Sequence, residues 1–224
     1  MGRKIKGSRL KKRSINIWSR SFLVYTYLWP DIKFAVQSSM NRNNQELAIV
    51  LDIGCGEKPY RDLFGECLYY GLNYGVENAS PDMLGDAMNL PVADSTVDLI
   101  FSTQVIEHLP EPKLMVGEMS RVLKSGGEAI VTGPFFWPIH EEPYDFYRYT
   151  KYGFAYLAEQ AGLEVVAIKE NGGIWAMIGQ AIALATPKPF RPIVLFTNVI
   201  FLFFDKLHYR PAGTMNYTLT FRKR

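Results

Sequence analysis

The chain has 224 residues, 48% of them hydrophobic and 21% charged; this suffices for one substantial buried core and excludes a disordered protein. Its two cysteines, Cys55 and Cys67, have neither zinc-ligand partners nor a CxxC spacing, which excludes a disulfide framework and suits a reducing, cytoplasmic compartment. The net charge of +3 is uneven: residues 1–20 hold eight of the 25 Lys and Arg and no acid, so the rest carries 17 bases against 22 acids.

The chain opens on that cationic arm, Arg3, Lys4, Lys6, Arg9, Lys11, Lys12, Arg13 and Arg20. Such an arm attracts phosphate, of nucleic acid or of an anionic leaflet, where each basic residue contributes on the order of 1 kcal/mol. A solvated terminus with no specific partner reads equally well. The run Phe22–Trp29 is short, is flanked by Arg20 and Asp31 and lacks a small-residue cleavage site, so it is not a signal peptide; Lys6 stands where a myristoylation site wants Ser or Thr. Residues 15–40 predict one or two helices broken at Pro30-Asp31. Residues 1–45 are thus an arm with N-terminal helices, ahead of a domain over 46–224.

From Glu46 strands and helices alternate, the pattern of a parallel sheet covered on both faces. AIVLDI (48–53) is an unbroken apolar run suited to a central strand, followed by LYYGLN (68–73), a short strand near 83–86, VDLIFS (97–102), EAIVTG (128–133) and LEVVAIKE (163–170). Met115, Met119, Val122 and Leu123 share one face of a helix ending at Ser125-Gly126-Gly127; Phe154, Leu157, Ala158 and Ala161 do the same ahead of Gly162. Residues 174–211 depart from the alternation: IWAMIGQAIALA and IVLFTNVIFLFF flank the breaker TPKPFRP. Each run is shorter than the roughly 20 residues a bilayer span needs. They predict an apolar helical hairpin lying against the domain, against the second subunit of a homodimer, or in a membrane interface. Tyr217, Leu219 and Phe221 alternate in a final strand that completes the sheet.

The loop Asp52-Ile53-Gly54-Cys55-Gly56 begins like a glycine-rich nucleotide cradle, but the third glycine that dinucleotide binders use for helix packing is missing, and Lys58-Pro59-Tyr60 follows. Asp52 would repel a pyrophosphate and could hold a cationic amino group. Pro59 can start the next helix. Lys58 either faces solvent or reaches toward an acidic acceptor.

With this loop the chain resembles the class I S-adenosylmethionine-dependent methyltransferases, type 11, from about Val50 to Gly173. LDIGCG, LYYGLN, LGDAMNLPVADSTVDLIFSTQVIEHL and RVLKSGGEAIVTGP match the family's segments in order. The resemblance implies an α/β, Rossmann-like, seven-stranded, mostly parallel sheet with helices on both faces. It also implies S-adenosylmethionine as cofactor, with Gly54, Cys55 and Gly56 beside its methionyl part, Asp52 at its ammonium, Asn73 in place of the usual acid at the ribose, Asp86 and Ala87 at the adenine, and Gln104 along the methionine. GCGEKPYRDLF together with PxHEEPYDFYRYT also looks like a subgroup associated with cell-surface polysaccharide genes, which implies a glycan or lipid-linked acceptor.

Acceptor residues are expected after the fourth and fifth strands, because ligands of open α/β sheets bind at the carboxyl ends. Gly133–Thr150 is dense in polar and aromatic groups, and Trp137, Glu141, Tyr144, Asp145, Tyr147 and Arg148 would suit a charged sugar or polyol. His140 is the first choice for a general base; His108 is the second candidate, with a structural role as its alternative. The spacing of His140, Glu141 and Asp145 matches no metal-ligand pattern, so no metal is expected. The expected activity is therefore O-methylation of a glycan or lipid-linked small molecule at the cytoplasmic membrane face, with residues 1–20 and 174–207 meeting anionic lipid. RNA methylation is the second reading, disfavoured by the acidic body and the absence of an NPPY-type signature. A non-catalytic membrane scaffold of the same fold is the third.

Overall fold

The continuous apolar runs become the centre of a seven-stranded sheet in the computed structural model, which describes residues 15–42, 47–77 and 79–224; the arm residues Arg3–Arg13 lie outside the described residues. The strands are β1 (Ile49–Ile53), β2 (Leu68–Asn73), β3 (Met83–Leu84), β4 (Val97–Thr103), β5 (Leu123–Pro134), β6 (Leu163–Asn171) and β7 (Asn216–Lys223), in the spatial order β3-β2-β1-β4-β5-β7-β6. β7 runs antiparallel to β5 and β6, and the other pairings are parallel. Strand order reverses at β1, which lies between β2 and β4, so a crevice opens at the carboxyl ends of β1 and β4.

One face of the sheet is covered by α2 (Pro112–Val122) and α3 (Lys151–Gln160), whose Met115, Met119, Phe154 and Ala158 are buried against Ile100, Val131 and Leu219. Thr150 caps α3 by accepting a hydrogen bond from the Gly153 N–H. The other face is covered by α1 (Phe22–Arg42), with Leu28, Ile32 and Val36 packed on Leu99, Phe101 and Ile130.

Three local features differ from the sequence expectation. The first helix runs unbroken through Pro30. An interior proline costs about 3 kcal/mol, and the apolar residues buried on both sides of it, Leu28 and Ile32, hold the helix against the sheet. After β1 the chain makes only a turn at Pro59 and a 3-10 helix at Arg61–Leu63. The space a full helix would fill is taken by α1, whose Trp29 stacks on Tyr60 at 5.4 Å. Finally, α2 ends at Val122 and the chain enters β5 at once, bulging over 124–127 before it regains register at Glu128. Gly126 takes φ +79° there, and Lys124 turns back to bond both oxygens of buried Asp98 at 2.8 and 2.9 Å.

The apolar hairpin is α4 (Ile174–Ala185) and α5 (Arg191–Leu207). Asp205 of α5 is fully buried and caps α4, accepting hydrogen bonds from Gly173 and Ala176 N–H groups at 3.0 and 3.1 Å. Gly179 lets the helices touch: a Cβ there would lie 2.4 Å from that of Phe201. Buried Gln180 and Asn198 fasten the hairpin to the start of α1, Gln180 bonding Val24 N–H and Arg20 carbonyl and Asn198 the carbonyls of Ile17 and Ser19. The hairpin thus lies against the domain on its inner side. Its outer side leaves Phe196 and Phe203 64% and 60% exposed, with Ile193, Val199, Ile200 and Leu207 beside them. Among the described residues, no helix is long and apolar enough to cross a membrane.

Candidate active site

The turn after β1 is built for close approach. Gly54 has φ +73°, and a Cβ there would lie 2.3 Å from Val105 Cγ2, so only glycine fits. Gly56 also has positive φ, +50°, but a Cβ there would meet open space. The turn is pinned by Gly54 and Cys55 N–H groups that both donate to the Leu72 carbonyl, at 2.8 and 3.1 Å. Lys58, with φ +52°, crosses Gly71 and pairs with Asp82 at 2.7 Å. It therefore stabilises the loop from below and does not reach across the crevice. Desolvation works to raise the Asp82 pKa, but the Gly71 N–H and Lys58 outweigh it and hold the carboxyl below its usual range.

Asp52 lies at the carboxyl end of β1, buried, and accepts a hydrogen bond from the Tyr69 hydroxyl. Burial pushes its pKa up to about 7, against the opposing effects of Tyr69 and the Lys58 charge.

Two cavities of about 780 and 760 Å³ flank this turn. The first runs past Asn73, Asp86 and Ala87; the second past Asp52, Cys55, Trp137 and His140. Gly54, Gly56, Gln104, His108 and Glu141 line both, so the two open onto each other at that point. In the first, Asn73 donates from its side-chain amide to Gly75 O at 2.7 Å, and Asp86 Oδ1 accepts from Met88 N–H at 2.8 Å. Gln104 has φ +54° and donates to Thr132 Oγ1 at 3.0 Å.

The loop after β5 supplies the polar end of the second cavity. His140 packs edge-on to His108, ring centres 4.8 Å apart. Asp145 is buried, takes two hydrogen bonds from Arg148 at 2.6 and 2.7 Å, and accepts the His140 backbone N–H at 2.9 Å. The Arg148 bonds, helped by that N–H, hold the Asp145 carboxyl well below the usual carboxylate range. The His140 ring reaches Asp145 Oδ2 at 3.3 Å and Pro138 O at 3.2 Å, both through Nδ1. His108 Nδ1 lies 2.6 Å from the Tyr144 carbonyl. A carbonyl only accepts, so each ring donates through Nδ1, and the neutral form of each is the tautomer that leaves Nε2 without a proton.

Of the remaining residues named from sequence, Glu141 is exposed with its carboxylate 3.8 Å from His108 Nε2. Tyr144 lines the first cavity, Trp137 the second, and Tyr147 is held by a hydrogen bond from its hydroxyl to Pro110 O at 3.0 Å. The sequence reading missed three contributions. Val24, Tyr25 and Leu28 of α1 roof the second cavity. Asn216, at the start of β7, lines it with an Nδ2 that is buried and unpartnered. Glu107 is fully buried, neither carboxylate oxygen has a hydrogen-bond partner, and burial raises its pKa to about 8.

Residues 51–131 match the family described as "Methyltransferase domain". Geranyl diphosphate methyltransferase in complex with S-adenosylmethionine superposes with a TM-score of 0.59, over 91% of each chain, at 9% identity. The chain carries the class I methyltransferase fold. Among curated proteins, ajmaline N-methyltransferase of Rauvolfia serpentina is 29% identical over an alignment of 106 residues that covers 37% of this chain. The match spans only 34% of that relative's own length. The [4+2]-cyclase SpnF matches with a TM-score of 0.58 at 19% identity, over 85% of this chain and 80% of its own. The methyltransferase fold is thus shared with a protein named for a different reaction, and the chemistry follows from the site itself.

Proposed function

We propose that this protein is an S-adenosylmethionine-dependent methyltransferase that methylates a hydroxyl of a glycan or lipid-linked small molecule at an anionic membrane surface. The junction of the two cavities at Gly54, Gly56 and Gln104 carries this reading, because it supplies one compartment for the nucleoside end of a cofactor and another, past Asp52 and Cys55, for its amino-acid end and an acceptor beside it.

The residues present fit the cofactor. Open space beside Gly56 admits a ligand against the backbone, and buried Asp52 offers a carboxylate to an ammonium group. Asn73, Asp86 and Ala87 line the first cavity and would meet the ribose and adenine; Gln104 and Cys55 line the second and would meet the methionyl part. When bound, S-adenosylmethionine supplies an electrophilic sulfonium methyl. The chain's own task is to hold the acceptor in line and take its proton. His140 Nε2 is the base, and Asp145, itself fixed by Arg148, is a positioning residue that sets the ring's tautomer. His108 is the second imidazole at the same point. Trp137 and the α1 roof exclude water, and the unpaired Asn216 amide and exposed Glu141 and Tyr144 are available to acceptor hydroxyls.

The membrane part rests on the hairpin's outer face. Over 174–211 the chain carries Lys188, Arg191, Lys206 and Arg210 against one acid, Asp205, and Asp205 is buried. An exposed apolar face on a segment with an excess of cations suits an anionic leaflet. Calorimetry tests the cofactor assignment: the wild type binds S-adenosylmethionine, and Asp86→Ala weakens it. No binding by the wild type contradicts the proposal.

A further inference from the structure

Glu107 poses a problem that the methyl-transfer reading leaves open. A carboxyl with no exposed surface and no hydrogen-bond partner is costly in a folded protein, and such a group calls for a ligand or a function. It lies at the 3-10 turn Ile106–His108, with Oε1 4.0 Å from His108 Nε2. His140 completes a set whose three donor atoms all lie within 4.8 Å of one another.

We propose that Glu107, His108 and His140 bind a first-row divalent cation at the junction of the two cavities. Three observations carry this. Each imidazole has its Nδ1 against a backbone carbonyl, Tyr144 O for His108 and Pro138 O for His140, which leaves Nε2 available as the ligand atom. A carbonyl holding the other ring nitrogen is a usual partner of a metal-binding imidazole. Beside the set stand the carboxylates of Glu141 and Asp145 against the one guanidinium of Arg148, an acidic excess that suits a dication. Two of the three donors also reach open space: His108 lines both cavities and His140 the second, so a cation there has open positions for an acceptor oxygen.

Two imidazoles and one carboxylate favour manganese, iron, cobalt or zinc over magnesium or calcium, which prefer all-oxygen sites. Ligand bonds of about 2.1 Å require donor atoms roughly 3 to 3.5 Å apart, so a pair at the 4.8 Å limit of the set closes by roughly 1.3 to 1.8 Å when it loads. His140 is part-exposed at its loop, and that ring makes the adjustment. This inference rests on the proposed methyl transfer and changes one role in it: with His140 Nε2 on the cation, the imidazole is a ligand and no longer the base, and a cation-bound acceptor hydroxyl would lose its proton to the exposed Glu141 carboxylate and on to water.

The test is titration of chelator-treated, untagged full chain with Co²⁺, read by visible d–d absorption, with S-adenosylmethionine calorimetry run on the same samples. The wild type is expected to bind one equivalent of Co²⁺ that Zn²⁺ displaces and Mg²⁺ does not. His140→Ala and Glu107→Gln are expected to lose more than about 100-fold in Co²⁺ affinity, beyond what removing an outer partner costs, while still binding S-adenosylmethionine. His208→Ala, at the exposed end of α5, is expected to bind Co²⁺ as the wild type does. Wild-type protein that binds S-adenosylmethionine but no Co²⁺ overturns the metal site and leaves the methyltransferase reading standing. Co²⁺ binding that both variants retain also overturns it, and failure to bind S-adenosylmethionine overturns the cofactor reading on its own.

Discussion

Asp52 makes cofactor binding depend on pH in a way that can be worked from the structure. Its pKa in the folded chain is about 7, raised by burial, whereas an unfolded chain has it near 4. The folded state therefore keeps a proton that the unfolded state releases, and the stability of the cofactor-free protein falls as pH rises from about 4 to 7. A cationic amino group binds only the ionised carboxylate, so the apparent dissociation constant scales as one plus 10 to the power (pKa − pH). With a pKa of about 7, affinity at pH 5.5 is about 15-fold weaker than at pH 7. Calorimetry in two buffers of different ionisation enthalpy reads this directly, and also reads close to one proton released per cofactor bound at pH 5.5. Asp52→Asn keeps an acceptor for the Tyr69 hydroxyl but removes the titration. Its affinity is expected to be weak and flat with pH, meeting the wild-type curve at the acid end. A wild-type affinity that does not change between pH 5.5 and 7, or a slope that Asp52→Asn retains, refutes the assignment of Asp52 to the ammonium.

Gly54→Ala combines a left-handed backbone with a contact that cannot exist, 2.3 Å to Val105 Cγ2. The two penalties together come to about 2 to 4 kcal/mol in urea unfolding. Adding Val105→Ala is expected to recover the steric part; simple additivity of the two losses would falsify the contact. His140→Ala is expected to lower kcat by about 10² to 10⁴ without altering cofactor affinity, and Asp145→Asn by less, with a shifted pH profile. Phe196→Asp with Phe203→Asp should abolish sedimentation with anionic vesicles while leaving the melting temperature unchanged, since both rings face outward. Deleting residues 1–13 should weaken vesicle binding in low salt more than in high salt. Vesicle binding unaffected by either change removes the membrane from the account.

How much of this was legible in the sequence depends on the range of the interactions involved. The central strands were legible because strands buried on both faces read as continuous apolar runs, as Ile49–Ile53 and Val97–Thr103 do. The glycine turn was legible because Gly54 and Gly56 meet a local backbone demand. Pro30 misled because a local helix breaker was outweighed by packing of α1 on a sheet formed far along the chain. Lys58 was ambiguous until the fold brought Asp82, 24 positions away, beneath it. Glu107 was adjacent to His108 throughout, but sequence cannot tell an exposed acid from one sealed in a 3-10 turn. Asn216 and the α1 roof reach the site only because β7 and the N-terminal helix converge on it.

The central claim is methyl transfer to a hydroxyl on a glycan or lipid-linked acceptor. Full-length protein incubated with methyl-labelled S-adenosylmethionine and a cell lipid and polysaccharide extract tests it most directly. The account predicts label in a lipid or glycan product as a methyl ether, dependent on His140. Cofactor binding with no label entering either fraction, or label found only in RNA, would contradict it.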